Sequence, residues 1–308
     1  MVYLLIALAM GLFIPVQTAA NSRLRQSVGS AQVSTLISFT VSTLSLLLVA
    51  LMVSAPVIPS SEAIHTAPWW TWFGGIIALL TITVAICLFK EIGQLQAMII
   101  PMFAQLLFSL CIDHFGWFGS NVIPINMQRL LGAVLLIIGV TLIVVIPRLK
   151  EKGNRQERQG ARQVLWQLCA IVSGCLMATI GAIYATLGSI LGSAVQASTI
   201  SFVIATTAMA VYCLCSGNIG QVKLAFTSKA PWWMWLGGIC GATTVYGNAW
   251  LIPKIGVGVF VTAILVGQLI LSLLMEHNGW LGAPKKSIKF IQISGIIIML
   301  IGVIMIKL

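Results

Sequence analysis

Acidic residues are nearly missing from this chain. Six Asp and Glu face 17 Lys and Arg in 308 residues, and charged residues of both signs make up only 7%. An ordinary soluble domain is about 25% charged. A globule of this size could not cover its water-facing surface with so few charges, so soluble, disordered and secreted disulfide-rich classes are excluded. No GxxxxGK[ST], HExxH or GxSxG motif occurs. Neither an ATP-driven pump nor a metal or nucleophile enzyme is expected, and no cofactor. The seven cysteines (87, 111, 169, 175, 213, 215 and 240) form no CxxC pair; all lie in apolar stretches and read as small core residues. The net charge of +11 is spread between apolar runs rather than gathered on one face, which argues against nucleic acid as a partner and for helix orientation in a bilayer.

What is abundant is apolar sequence: 59% of residues are hydrophobic and the mean hydropathy is +1.05. A hydrocarbon core of about 30 Å needs roughly 20 apolar residues per helix. Ten such runs lie near 2–20, 33–54, 71–89, 97–112, 128–147, 165–187, 196–216, 233–252, 257–275 and 288–306. The first has the look of a signal peptide. However, no positive charge precedes it and Arg23 and Arg25 follow it, so it is expected to be a retained helix. Pro15 should kink that helix, and Pro101 should sit in the first turn of the fourth. The one long hydrophilic stretch, Arg148–Gln163, reads as a solvated linker.

The chain repeats itself at a shift of 163 residues. Gly29-Ser30-Ala31 meets Gly192-Ser193-Ala194, Ser38-Phe39 meets Ser201-Phe202, and the Trp-rich run from Ala67 meets that from Ala230. Gln105, Ser109, Asp113-His114 and Trp117 meet Gln268, Ser272, Glu276-His277 and Trp280. Rare Trp, His and Gln in one register identify an internal repeat. The expected architecture is an all-α membrane protein of ten transmembrane helices. It comprises a first five-helix repeat (1–148), a hydrophilic cytoplasmic linker (149–163) and a second, inverted five-helix repeat (164–308). Five is odd, so the second repeat must enter the bilayer from the opposite side. Equivalent loops agree: Lys285, Lys286 and Lys289 stand where the first half has Val122, Ile123 and Asn126. With the linker in the cytoplasm, 14 Lys and Arg fall inside and 3 outside (Arg129, Lys254 and Lys307). Both termini are then outside.

Polar groups inside spans cost free energy unless partnered or facing a cavity. The fourth span places Gln105, Ser109 and Asp113 at four-residue steps on one face, and the ninth repeats this with Gln268, Ser272 and Glu276. Gln105 and Gln268, near mid-membrane, are candidate substrate contacts. Asp113 and Glu276, at opposite ends, are candidate gating or coupling groups. Ser109 and Ser272 belong to the same stripes, as path-lining groups or as interhelical hydrogen-bonders. Gln17, Asn21, Tyr246 and Asn248 break the repeat symmetry and are further candidate substrate contacts. Tryptophans 69, 70, 72, 232, 233 and 235 read as interface anchors. Gly132 and Gly139, with their equivalents Gly295 and Gly302, suit close helix packing.

The blocks PVQTAANSRLRQSVGSAQVSTLISF and QLLFSLCIDHFGWFG resemble the YdcZ-type family of bacterial inner-membrane proteins, within the drug/metabolite transporter superfamily, in its fused two-unit form. The second copy departs from the pattern, with Glu276 for Asp113 and Asn278 for Phe115. The resemblance implies a multi-pass inner-membrane secondary transporter, an exporter of a small metabolite or drug-like molecule. A passive channel or membrane scaffold of the same fold is the alternative reading. No carboxylate lies at mid-depth, so uniport, counter-substrate exchange and proton coupling through Asp113 or Glu276 all remain open. The expected partners are a small-molecule substrate and the lipid bilayer.

Overall fold

The computed structural model describes residues 1–146, 161–227, 231–283 and 285–307. The described residues form helices and connecting turns, with no strand. A bilayer favours this arrangement, because a helix satisfies its backbone polar groups internally. The helices are α1 (Val2–Gly11), α2 (Phe13–Val28), α3 (Ala31–Met52), α4 (Ser61–Thr66), α5 (Gly74–Glu91), α6 (Gly93–Phe115) and α7 (Met127–Val140) in the first half. The second half has α8 (Ala161–Ile190), α9 (Ala194–Cys215), α10 (Val222–Thr227), α11 (Leu236–Ile255), α12 (Val257–Asn278) and α13 (Phe290–Lys307).

Among the described residues, eight helical segments are long and apolar enough to cross a membrane: α1 with α2, α3, most of α6, α7 with the π-turn Thr141–Val145, α8, α9, α12 and α13. Of the ten expected, α5 and α11 do not meet that standard. The four glycines, Asn248, Pro253 and Lys254 of α11 dilute its hydropathy, and the apolar stretch at α5, Trp69–Ile82, is shorter. Both nevertheless pack inside the bundle, α11 against α2, α3 and α8, and α5 against α8. Leu44, Leu48, Leu168 and Ile301 are exposed on the outside of the bundle, where hydrocarbon rather than water suits them.

The 163-residue shift reappears as geometry. Gly29 and Gly192 both end a helix in the left-handed conformation (φ 75° and 66°). Ser30 and Ser193 then cap the next helix by accepting the N–H of Val33 and of Gln196. Cap and glycine together explain why this tripeptide is kept in both halves. Equivalent residues also meet each other directly. Thr43 Oγ1 lies 2.8 Å from Thr206 Oγ1, and the Phe39 and Phe202 rings pack edge to face at 5.5 Å.

α7 and α13 also approach closely, at both of their glycines. A Cβ on Gly132 would lie 2.7 Å from the Gly302 carbonyl oxygen, and one on Gly139 would lie 2.8 Å from that of Gly295. Glycine is what allows this backbone approach. The register rises along α7 as it falls along α13, so these equivalent helices run antiparallel.

Pro15 disrupts the first span as expected, with the break falling one turn earlier at Leu12, because the Pro15 ring has no N–H for the Gly11 carbonyl and crowds it. Two other expectations need correction. Pro101 is not in a first turn but well inside α6, which starts at Gly93; the polar Gly93–Gln96 turn hides that start from a hydropathy reading. Of the linker, residues 147–160 lie outside the described residues, while 161–163 open α8. At that end Arg162 Nη2 meets Glu91 Oε1 at 2.8 Å with the guanidinium largely exposed, a pair worth at most about 1 kcal/mol.

Candidate functional site

The motif shared by Asp113–Gly119 and Glu276–Gly282 is a helix-ending turn. Gly116 and Gly279 take the left-handed conformation (φ 65° and 73°), and Phe118 and Leu281 follow with φ 57° and 52°. Bulky residues in that region are strained, and the strain occurs at the same step in both halves. The loop then folds back identically. The Ile123 N–H donates to the Asp113 carbonyl, and the Lys286 N–H to the Glu276 carbonyl, both at 2.7 Å. One step further, Arg129 Nε donates to the Ile306 carbonyl at 2.9 Å, and its equivalent Gln292 donates through Nε2 to Ile143 at 3.5 Å. Ile306 and Ile143 are themselves equivalents.

The two ends part company at the carboxylates. Asp113, expected at a mouth, is fully buried. Its Oδ1 accepts the Val257 N–H at 2.7 Å and its Oδ2 the Gly258 N–H at 2.9 Å. These are free donors at the start of α12, where a negative charge is favoured. Arg129 Nη2 approaches Oδ2 at 3.4 Å while its Nη1 donates to the Ile123 carbonyl at 3.1 Å. One carboxylate and one guanidinium thus tie α6, α7, α12, α13 and the intervening loop together. Over this clamp lies a recess of about 320 Å³ that reaches no deeper into α12 than Val259.

Glu276 makes no such contact among the described residues; it is half-buried and lines a cavity of about 410 Å³. The whole expected stripe of α12, Gln268, Ser272 and Glu276, faces this cavity. Met98 and Met102 of α6, Ile143 and Val144 of the π-turn, and Lys285, Lys286 and Lys289 complete most of the wall. Gln268 is eight residues from Glu276, about 12 Å along the helix. The opening therefore runs deep on this side and stays shallow on the other.

The remaining candidates lie elsewhere. Gln105 is half-buried and faces neither cavity, and Ser109 is buried with its hydroxyl bonded to the Leu106 carbonyl of its own helix at 2.7 Å. Gln17, Asn21 and Asn248 gather where α11 crosses α2 and α8. Gln17 lies against Gly241, Asn21 against Gly237, and Asn248 against Gly181. Asn21 Oδ1 is buried and accepts no hydrogen bond among the described residues, which is costly in an apolar setting. Tyr246 stacks on Trp250 at 6.0 Å, and the Lys254 ammonium sits 3.9 Å from the Trp250 ring centroid, a cation–π contact.

Arg129, Gln292 and the lysine rim escaped the residue-by-residue reading. The available signal was that an Arg opening an apolar span meets a Gln at the 163-residue shift.

These features define a polytopic helical membrane protein built from two copies of one unit, with a cavity of mixed polar and apolar lining open at one end. Comparison with known families places it further. The family described as "Putative inner membrane exporter, YdcZ" matches residues 2–142 and again 165–305, so the chain belongs to that family as a fused two-unit form. A solved chain titled "Crystal structure of protein" superposes with a TM-score of 0.62 at 14% identity, covering 97% of this chain and 95% of that one. That likeness shows the fold alone. No curated protein matches the chain.

Proposed function

We propose that the protein is a secondary transporter that exports a small molecule by alternating access between two inverted five-helix repeats, with α5 and α11 as the ninth and tenth crossings. The observation that carries this reading is the broken equivalence of the two ends. One carboxylate is sealed onto a helix N-terminus, and its partner by repeat faces an open cavity. Alternating-access carriers have a symmetric frame with one end shut. The antiparallel α7–α13 pair supports the inversion, and the 14-to-3 charge count supports a cytoplasmic linker with both termini outside.

In this conformation the path opens at the lysine-rich, cytoplasmic end and leads from Glu276 past Ser272 to Gln268. Asp113 and Arg129 close the outer end. When that clamp releases, Gln105 and Ser109 line the outer path as Gln268 and Ser272 line the inner one. Glu276 is then free to take the start of α6, where Gln94 and Leu95 are the equivalents of Val257 and Gly258. Gln17 and Asn21 at the α2–α11 crossing, Asn248 against α8 and Tyr246 on Trp250 are polar contacts of α11 outside the lining of the open cavity. Any coupling to a proton or counter-substrate acts through Glu276, the one carboxylate among the described lining residues.

The test is counterflow in proteoliposomes, using compounds that raise the thermal stability of the purified protein. A carrier gives saturable uptake driven by unlabelled substrate on the far side. A linear, non-saturating leak would instead establish the passive channel.

A further inference from the structure

The chemistry of the open cavity specifies its occupant more narrowly than "small molecule". Among the described lining residues Glu276 is the one carboxylate, and Lys285 and Lys289 alone outnumber it, so the described rim is basic. Lys289 directly precedes α13, so the positive end of that helix adds to the same field. Deeper in, the walls are apolar: Met98, Met102, Leu269 and Leu273. A volume of about 410 Å³ lies in the ordinary range of small-molecule sites, about 300–1,000 Å³. The equivalents of the three lysines at the sealed end, Val122, Ile123 and Asn126, carry no charge; the cations lining the recess there, Arg129, Lys254 and Lys307, stand at other positions of the repeat.

We propose that this cavity binds an amphiphilic anion. A carboxylate, sulfonate or phosphate group sits at the Lys285–Lys289 rim, and an apolar body lies between α6 and α12 along the two methionines and two leucines. Gln268 and Ser272 offer hydrogen bonds to polar atoms on that body. As cargo, such an anion rests on the transport reading above; as a ligand it does not. Soluble organic acids and anionic lipids share this chemistry, since basic clefts between helices at the cytoplasmic face also hold lipid headgroups.

The test uses purified full-length protein in phosphatidylcholine nanodiscs and three probes with one aromatic body: 1-naphthoate, 1-naphthylmethylammonium and 1-naphthylmethanol. Naphthoate should bind at least about tenfold more tightly than the other two. The double variant Lys285→Gln/Lys289→Gln should lose about tenfold of that affinity, the combined effect of two partly exposed ion pairs. Lys285→Arg/Lys289→Arg should retain it. Twelve cytoplasmic Lys and Arg remain in the neutral variant, so orientation is preserved and the loss reports binding.

Doping the discs with phosphatidylglycerol identifies the source: displacement of naphthoate marks a lipid occupant, and undisturbed binding marks a soluble one. Equal affinity for the ammonium or alcohol probe would overturn the proposal, as would unchanged naphthoate binding in the Gln variant. Binding of naphthoate without counterflow would leave this site standing and remove the transport reading.

Discussion

Asp113→Asn is the substitution that the clamp geometry makes most informative. Asn keeps one oxygen for one of the two α12 N–H groups. With that oxygen at the Oδ2 position, serving Gly258 and Arg129, the amide NH₂ faces the Val257 N–H, donor against donor, and the negative charge is gone. Arg129 is only 4% exposed, so it stays buried without its counter-charge. Removing one partner of a buried pair costs about 3–5 kcal/mol, and the retained hydrogen bond puts this case near about 3 kcal/mol. If that cost falls on the sealed conformation, release of the outer end becomes about a hundredfold more favourable, at about 1.4 kcal/mol per factor of ten.

Val261 gives the readout. It is buried behind the clamp, and its equivalent, Met98, lines the open cavity. In a background without native cysteines, Val261→Cys should react with an impermeant maleimide about a hundredfold faster when Asp113 is Asn, while Met98→Cys reacts at its former rate. Leu36→Cys, in a separate core cluster, should stay protected, which distinguishes opening from unfolding. Unchanged Val261→Cys reactivity would refute the clamp as a gate. A parallel rise at Leu36→Cys would make it merely a fold-stabilising pair.

Other outcomes are equally definite. Gly139→Val places a branched side chain against Met299 and the Gly295 carbonyl; it should lower stability by about 1–3 kcal/mol or more, read as a fall in thermal midpoint. Gln268→Leu should weaken binding to the conformation described here, while Gln105→Leu should spare that binding and slow turnover, as equilibrium binding and counterflow rates will report. Gln156→Cys in the linker should resist an impermeant thiol reagent in intact right-side-out cells, and Glu62→Cys should label; the reverse pattern inverts the topology. Halves 1–155 and 156–308, co-expressed, should reassemble into an active carrier, because the linker sequence is hydrophilic and carries Gly153 and Gly160.

The helices and the repeat were legible because both are written in local patterns: apolar runs of bilayer length, and rare residues in one register. Helix ends came out within a few residues except at α6, where a polar turn precedes Pro101, and at α2, which runs through the polar Gln17–Gln26 segment to Val28, while α5 and α11 fall short of the length and apolarity of a span. The α12 stripe was legible for the same reason, since four-residue steps put Gln268, Ser272 and Glu276 on one face and that face borders the cavity. Its counterpart on α6 has the same spacing but a different fate. Asp113 is buried because α12, 144 residues further along the chain, supplies two unpaired N–H groups. No periodicity within α6 announces a partner that distant. Nor could composition show that Arg129, counted as an outside charge, would lie within hydrogen-bonding reach of Asp113, Ile123 and Ile306 at once.

The claim that the two ends open in turn is tested most directly at Ser109 and Ser272, equivalent positions of which one is sealed and the other faces the cavity. Each is replaced by Cys in a cysteine-free background and labelled with an impermeant thiol reagent applied from one side of oriented vesicles. The account predicts that Ser272→Cys labels from the linker side only and Ser109→Cys from the opposite side only. Trapping either end shut with a cross-link should abolish labelling at that end and leave the other intact. Labelling of both positions from one side, or of both at once in the trapped protein, would contradict it.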